Sequence, residues 1–244
     1  MQLFVTEKGF FYGIPMKSKS EVLLAVKMFA KEIGALDAII CDAAREQISQ
    51  KVRDVCYKIG TSIRVLKEGT PWGNRAELYI GLLKEAVRKD LRDSDCTIVF
   101  WGYCAKRRSC VNNLTAPNLF QLEGRNENFS VTSEDGEIYN LCQFAWYEWC
   151  YYSEHIGNFP FPREILGRVL GTAKGEGNEM AMWILKENRR VVPRRTPRPL
   201  ITADINSYKE KNKRSIFDKF ILKRWGSSLS PPPVQIDEYY MLDP

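Results

Sequence analysis

The feature that most restricts the fold is that short apolar runs alternate with longer segments whose apolar residues recur at helical spacing. Residues 2–6 and 10–16 are short runs rich in Phe, Val and Tyr, separated by a Glu-Lys-Gly turn. Apolar residues then recur at helical spacing from Val22 until Gly34, and a capping box is predicted at Ser18. A hairpin of two strands followed by an amphipathic helix is therefore predicted.

The next segments repeat this alternation. Residues 38–41 form a uniformly apolar run that ends at Asp42, which is typical of a buried parallel strand whose carboxyl end meets a loop. A second amphipathic helix follows, and residues 61–66 have the composition of another strand. A long helix is predicted from about Ala76, and a further helix over about 97–114. Strands that alternate with helices predict an α/β fold, a sheet covered by helices.

The composition divides the chain into three predicted domains. Residues 1–122 contain the alternating strands and helices and are expected to form the α/β unit. Residues 123–204 contain an aromatic segment and several short runs broken by Gly and Pro, which predicts a small β-rich module. Residues 205–244 combine a charge run with three consecutive prolines, so this tail is expected to be largely disordered around one short amphipathic segment.

Composition excludes some classes of protein and leaves others open. The formal net charge of +6 suggests an anionic partner, although so small an excess is also common among ordinary soluble proteins. The seven cysteines form no CxxC pair and the chain has one histidine, so a disulfide framework or a zinc finger is not expected. No long apolar run or secretory signal is present, so an intracellular protein without a membrane segment is predicted.

Two acidic residues lie where a metal site of an α/β sheet is expected. Asp42 ends a predicted strand, Glu77 opens a predicted helix, and 34 residues separate them. Both would lie at the carboxyl edge of the sheet, where open α/β sheets bind ligands. Carboxylates there can bind Mg²⁺. Structural roles are the alternative, because Asp42 could cap the following helix and Glu77 could favour the positive end of its own helix.

Several motifs around these acids carry a family resemblance. The run Ile-Ile-Cys-Asp that ends at Asp42, the Thr-Pro loop at 70–71 and Asn-Arg-Ala-Glu ending at Glu77 resemble the second and third acidic motifs of the DDE integrases, most closely those of copia-type retrotransposons. The run Pro-Met-Lys-Ser-Lys-Ser-Glu at 15–21 and the segment around Asn112 and Asn113 match the same family. The resemblance covers about residues 2–204.

This resemblance implies a ribonuclease H-like core that performs DNA integration by metal-dependent strand transfer. Asp42 and Glu77 would be catalytic residues and ligands of Mg²⁺ or Mn²⁺. The chain departs from the family in two respects, since the spacing between these acids is one residue shorter and the first aspartate, on the strand before residues 2–6, has no counterpart here. We therefore expect a core that lacks its first strand, binds metal weakly and is inactive as given.

Basic residues suggest how such a chain would bind DNA. Lys84 and Arg88 follow Glu77 on about the same face of the predicted helix, and the resemblance implies that Lys84 faces DNA. Trp72 and Arg75 in the flanking loop are further candidates. The densest basic stretch contains the other predicted contacts, which are Arg190, Arg194 and Arg195. Such residues attract phosphates without sequence preference, although a solvated face or a nuclear localisation signal remains open for them.

The sequence thus predicts a fragment of a retrotransposon integrase that binds DNA through its phosphate backbone. The alternative is a non-catalytic nucleic-acid-binding remnant or a recruited binding module. As in other integrases, homo-oligomers are implied by the resemblance, as is a nuclear location if the protein is active. No membrane partner is expected.

Overall fold

The computed structural model describes residues 1–67, 75–115, 123–133, 136, 138–154, 164–173 and 181–226. The protein is a mixed α/β chain of two compact units. The first unit comprises Met1–Glu85 and Arg108–Glu137, and the second comprises Ala86–Arg107 and Ile138–Pro244. The domain limits 1–122 and 123–204 stay a prediction.

The first unit opens with the predicted hairpin. Strands β1 (Gln2–Val5) and β2 (Phe11–Ile14) are antiparallel, with Gln2 opposite Ile14 and Val5 opposite Phe11. The turn is closed by Thr6, whose N–H donates to the Phe10 carbonyl at 2.8 Å. Gly9 in this turn has φ +93°, a conformation that glycine adopts without a steric penalty.

Helix α1 (Val22–Glu32) follows a short 3₁₀ turn over Lys19–Glu21. The predicted capping box at Ser18 is wrong in detail, because its hydroxyl makes no capping hydrogen bond and lies 2.6 Å from the Ser20 hydroxyl. Glu21 instead accepts the Lys17 N–H at 2.7 Å. The predicted end of the helix is confirmed, since Gly34 has φ +114° and donates its N–H to the Ala30 carbonyl.

Strands β3 (Ala38–Cys41) and β4 (Ser62–Val65) flank helix α2 (Gln50–Lys58) and are parallel, with Ala38 opposite Ser62. The predicted parallel strand is confirmed. The prediction that it is buried is wrong, because Ile40 is 56% exposed and Val65 is 41% exposed. The physical reason is that one face of the two-stranded sheet β3–β4 of the described residues packs on the core, through Ile39 and Ile63, while the side chains of the other face are exposed.

One apolar cluster serves both strand pairs of the first unit. Its buried members come from β1, β2, α1 and α2 and include Phe4, Val26, Phe29 and Val52. Ile39 of β3 and Ile63 of β4 pack against the same cluster. Within the described residues, however, β1–β2 and β3–β4 remain two separate sheets, so a common core joins them where hydrogen bonds do not.

Two longer helices contribute to both units. Helix α3 (Arg75–Asp93) buries Leu83, Val87 and Leu91, and its start confirms the long helix predicted from about Ala76. Helix α4 (Trp101–Leu114) follows a 3₁₀ turn over Ile98–Phe100, as predicted for residues 97–114. Helix α5 (Phe129–Thr132) is a single turn. None of the helices that the structure describes is long and apolar enough to cross a bilayer.

The second unit contains the predicted β-rich module, preceded by the short helix α6 (Tyr139–Cys142). Its five antiparallel strands have the order β8-β7-β6-β5-β9. Their bounds are Trp149–Ser153 for β5, Glu164–Thr172 for β6, Ala181–Lys186 for β7, Val191–Arg195 for β8 and Arg198–Pro199 for β9. Buried side chains of β5, β6 and β7 form its core.

The prediction of a largely disordered tail at 205–244 is wrong for its first half. Helices α7 (Thr202–Asn206) and α8 (Tyr208–Trp225) occupy this region, and residues 227–244 lie outside the described part of the chain. Helix α8 buries Phe217, Ile221 and Trp225, whose spacing of four places them on one face. The Phe217 ring lies 5.1 Å from the Trp149 ring, so apolar packing orders a segment that its charge run had marked as mobile.

An arginine on β6 also attaches α8 to the sheet. Arg168 donates from Nη2 to both carboxylate oxygens of Asp218, at 2.9 and 3.0 Å. Its guanidinium lies 3.6 Å from the centre of the Trp149 ring and 4.4 Å from that of Tyr147. The cation–π stacking holds the guanidinium of Arg168 in place. The ion pair with Asp218 then attaches the middle of α8 to β6.

The side-chain amide of Asn113, near the end of α4, hydrogen-bonds to the backbone of β2 as a neighbouring strand would. Its Oδ1 accepts the Phe11 N–H at 3.0 Å and its Nδ2 donates to the Phe11 carbonyl at 2.8 Å. Asn113 is only 5% exposed and Phe11 only 3%. One side chain therefore satisfies both backbone groups of a buried residue at the outer edge of the hairpin, where unpaired groups are costly.

We predict that Asn113→Ala destabilises the protein by about 2–4 kcal/mol, because it leaves two buried backbone groups without partners. Denaturant unfolding monitored by circular dichroism measures the change. Asn112→Ala is the matched control, since the neighbouring Asn112 is exposed and should change the free energy of unfolding by less than about 0.5 kcal/mol. Equal effects of the two substitutions would contradict this role of Asn113.

Candidate nucleic-acid interface and acidic pair

Asp42 follows β3 directly and is exposed. Burial raises the pKa of the neighbouring Cys41 thiol, and the negative charge of Asp42 raises it further. The residue that precedes α2 is Ser49, so Asp42 does not cap that helix and this structural alternative is wrong. The carboxylate is left at the carboxyl end of a parallel strand, in contact with solvent.

Glu77 lies in the first turn of α3 and is exposed. This position favours a negative charge, because the N-terminal N–H groups of a helix carry partial positive charge. The structural alternative for Glu77 therefore remains compatible with its location.

A two-ion metal site needs more carboxylates than Asp42 and Glu77 supply. Within the described part of the chain, no group of three His, Cys, Asp or Glu side chains is arranged to hold a metal ion. Two divalent ions that act on one phosphodiester lie about 3.5–4 Å apart and share a carboxylate. The donor set of Asp42 and Glu77 does not fit such a two-ion centre.

Arg75, a predicted nucleic-acid contact, is the first residue of α3 and bonds to the hairpin turn. Its Nη1 donates to the main-chain carbonyl of Glu7. Tyr79, one turn further along α3, places its ring 5.3 Å from the Phe11 ring. Arg75 thus anchors the start of α3 to the hairpin, in addition to any contact with a ligand. Trp72 and the 70–74 loop lie outside the described residues.

Lys84 and Arg88 lie one turn apart on α3 and both are exposed. That they lie on the same face as Glu77 stays a prediction. Lys84 also acts on the chain terminus: burial lowers the pKa of the Met1 amino group, and the positive charge of Lys84 lowers it further. The Met1 amino group and Lys84 therefore lie close enough for their charges to interact.

The basic stretch of the second unit is partly neutralised by acids that are distant in sequence. Arg194 on β8 lies 3.5 Å from a carboxylate oxygen of Glu154, which also pairs with Lys186. Arg198 pairs with Glu164 at 2.8 Å and with Asp204 at 3.0 Å. Arg194 therefore has a structural partner that its sequence neighbours did not reveal.

Arg190 and Arg195 differ from Arg194 in their exposure. Arg190 lies in the turn between β7 and β8, Arg195 ends β8, and both are exposed. The Arg190 carbonyl accepts the Lys186 N–H at 2.9 Å, which closes this turn. These two guanidinium groups remain accessible candidates for phosphate contacts.

Comparison with solved structures gives only weak likeness. No family model matches the chain, and no curated protein matches it. Among solved structures, the cryoEM structure of the simian T-cell lymphotropic virus intasome in complex with PP2A regulatory subunit B56 gamma is similar at 14% sequence identity and a TM-score of 0.42. The match covers 82% of this chain and 74% of that chain. A likeness with a TM-score below 0.5 assigns neither a fold family nor a function to this chain.

We predict that Glu154 makes the protein sensitive to acid. Its pairing with Lys186 and Arg194 holds the pKa of Glu154 below the ordinary value of 4.5. Because the folded-state pKa is lowered, this stabilisation is complete above pH 4.5 and disappears as the pH falls through the folded-state pKa. Glu154→Gln should therefore lower the melting temperature at pH 7 and have little effect at pH 3.

Melting curves of the native chain and the variant across this pH range test the linkage. Glu187→Gln is a control, because Glu187 is exposed in the turn after β7. A difference between native chain and Glu154→Gln that is the same at pH 3 and pH 7 would show that the charge of Glu154 is not responsible.

Proposed function

We propose that this chain is an integrase-related nucleic-acid-binding protein of the copia retrotransposon type, which binds the phosphate backbone of DNA. The observation that carries the proposal is the position of the two motif acids. Asp42 directly follows a strand that is parallel to β4, and Glu77 lies in the first turn of α3. This is the arrangement that the family resemblance implies.

The proposed core is a ribonuclease H-like sheet without its first strand. In support, the first unit combines an antiparallel pair with a parallel pair over one apolar cluster. In the resembled family, the first strand joins the two pairs and carries the first aspartate. No strand of the described residues does so. The partly exposed β3 is what a sheet without its central strand should contain.

The proposed function is binding without strand transfer. A single Mg²⁺ or Mn²⁺ ion could bind weakly at Asp42 or Glu77. Two metal ions at one site would need a further carboxylate that bridges the two ions. The described part of the chain supplies no such third ligand. This favours the non-catalytic alternative, a remnant or recruited binding module, over an active integrase. Homo-oligomers and a nuclear location belong to the proposal as implied by the resemblance.

The proposed DNA contacts are phosphate contacts. Lys84 and Arg88 present two cations one turn apart on an exposed face, and Arg190 and Arg195 present two more on the second unit. Lysine and arginine that neutralise phosphates release counterions, so the affinity falls steeply as salt rises. Because these contacts do not touch base edges, binding should be independent of sequence.

We predict that the full chain binds duplex DNA and that Lys84→Gln with Arg88→Gln weakens binding about tenfold at 0.1 M salt. The slope of log affinity against log salt should become less steep by about 2, since two phosphate contacts are lost. Fluorescence anisotropy with duplexes of unrelated sequence measures both quantities. The weakening should be equal for all the duplexes.

The matched control replaces two exposed lysines of α2, Lys51 and Lys58, with glutamine. It removes the same charge from another helix and should change the affinity less than twofold. Binding by the native chain that does not change between 50 and 200 mM salt would rule out the proposed function.

A further inference from the structure

Helix α8 concentrates the positive charge of the whole protein. Its 18 residues contain five lysines, two arginines, one glutamate and one aspartate. The helix therefore carries a net charge of +5 in a chain whose net charge is +6. Such a local excess is a stronger indication of an anionic partner than the charge of the whole chain.

Both acids of α8 are on its inner side. Asp218 is paired with Arg168, and Glu210 accepts the Tyr151 hydroxyl at 2.6 Å. The pKa of Tyr151 is raised by burial and by this bond to Glu210. The two carboxylates therefore attach the helix to the sheet, through Arg168 for Asp218 and through Tyr151 for Glu210.

All five lysines of α8 are exposed. We define the outer face of α8 as these residues together with the two half-exposed apolar side chains between them. Its members are Lys209, Lys211, Lys213, Ile216, Lys219, Phe220 and Lys223. Only Lys213 pairs with an acid, Glu210, at 2.7 Å. Among the described residues, no carboxylate lies within ion-pair distance of the other four lysines.

We propose that the outer face of α8 is a second contact surface for the phosphate backbone of nucleic acid. This inference rests on the proposed function and assigns the binding to residues outside Lys84, Arg88 and the arginine-rich strand. From Lys209 to Lys223 the face extends about 21 Å along the helix axis. Duplex DNA presents about one charge per 1.7 Å of its axis, so several phosphates lie within reach of these flexible ammonium groups.

The packing of α8 favours nucleic acid over a lipid surface. Membrane-bound amphipathic helices insert their apolar face into the bilayer. Here that face, formed by Phe217, Ile221 and Trp225, is buried in the protein. The outward side chains are mainly ammonium groups, whose compact charge matches phosphate without requiring insertion.

The test replaces three lysines of the outer face that form no ion pair, Lys209, Lys219 and Lys223, with glutamine in the full chain. The variant should bind a 20-base-pair duplex at least about tenfold more weakly at 0.1 M salt, and its salt slope should be less steep by up to about 3. The control removes three exposed lysines from α1 and α2 in the same way. These are Lys27, Lys31 and Lys51. Circular dichroism and melting curves should be unchanged in both variants.

Each result distinguishes this surface from the proposed function. If the native chain binds DNA and the α8 variant binds equally well, or if the control loses as much affinity, the α8 surface is overturned while the proposed function stands. If the native chain does not bind DNA at all, both fail. Binding to vesicles of phosphatidylserine that requires these lysines, with DNA binding unaffected, would overturn the choice of nucleic acid.

Discussion

A shared apolar cluster, rather than a continuous hydrogen-bonded sheet, holds the first unit together. The described strands of this unit form two pairs, each of only four residues per strand. An isolated pair of strands has marginal stability in water, so Phe4, Val26 and Phe29 must supply the burial that keeps β1–β2 and β3–β4 together. Ile39 of β3 packs against this cluster, and Ile40, whose side chain points to the other face of the strand, is exposed.

The second unit solves a different problem, which is to hold many cations close to one sheet. Glu154, Glu164 and Asp204 neutralise arginines and a lysine of the sheet, and Asp218 neutralises Arg168. Ion pairs of this kind add little stability when exposed, but they prevent repulsion between cations that packing brings together. The five lysines of α8 are exposed. The cations of the sheet are thus paired with acids, whereas most lysines of α8 face solvent without an acidic partner among the described residues.

Local patterns predicted the elements because they depend on neighbouring residues. The short apolar run around Phe4 indicates a strand, the helical spacing from Val22 indicates a helix, and the glycine at position 34 indicates where that helix ends. The partner of Arg194 could not be predicted, because Glu154 lies 40 positions away. The burial of β3 was wrong for a related reason, since an apolar run indicates a strand but not how many neighbours cover it.

Helix α8 illustrates how a charge pattern can mislead. Its lysines indicated a mobile tail, whereas Phe217, Ile221 and Trp225, spaced four residues apart, form the buried face of the helix. The position of Asp42 after a strand and Glu77 in a first helical turn could be predicted, because both depend on local boundaries. Whether other acids join them depends on tertiary arrangement.

The central proposal is that the chain binds the phosphate backbone of DNA and does not perform strand transfer. The most direct measurement is a cleavage and strand-transfer assay on a labelled duplex with Mg²⁺ or Mn²⁺, run beside Glu77→Gln. With protein in excess over DNA, the account predicts no product above the background without protein, and the same result for both chains. Metal-dependent product from the native chain that disappears in Glu77→Gln would contradict the account and require a third metal ligand.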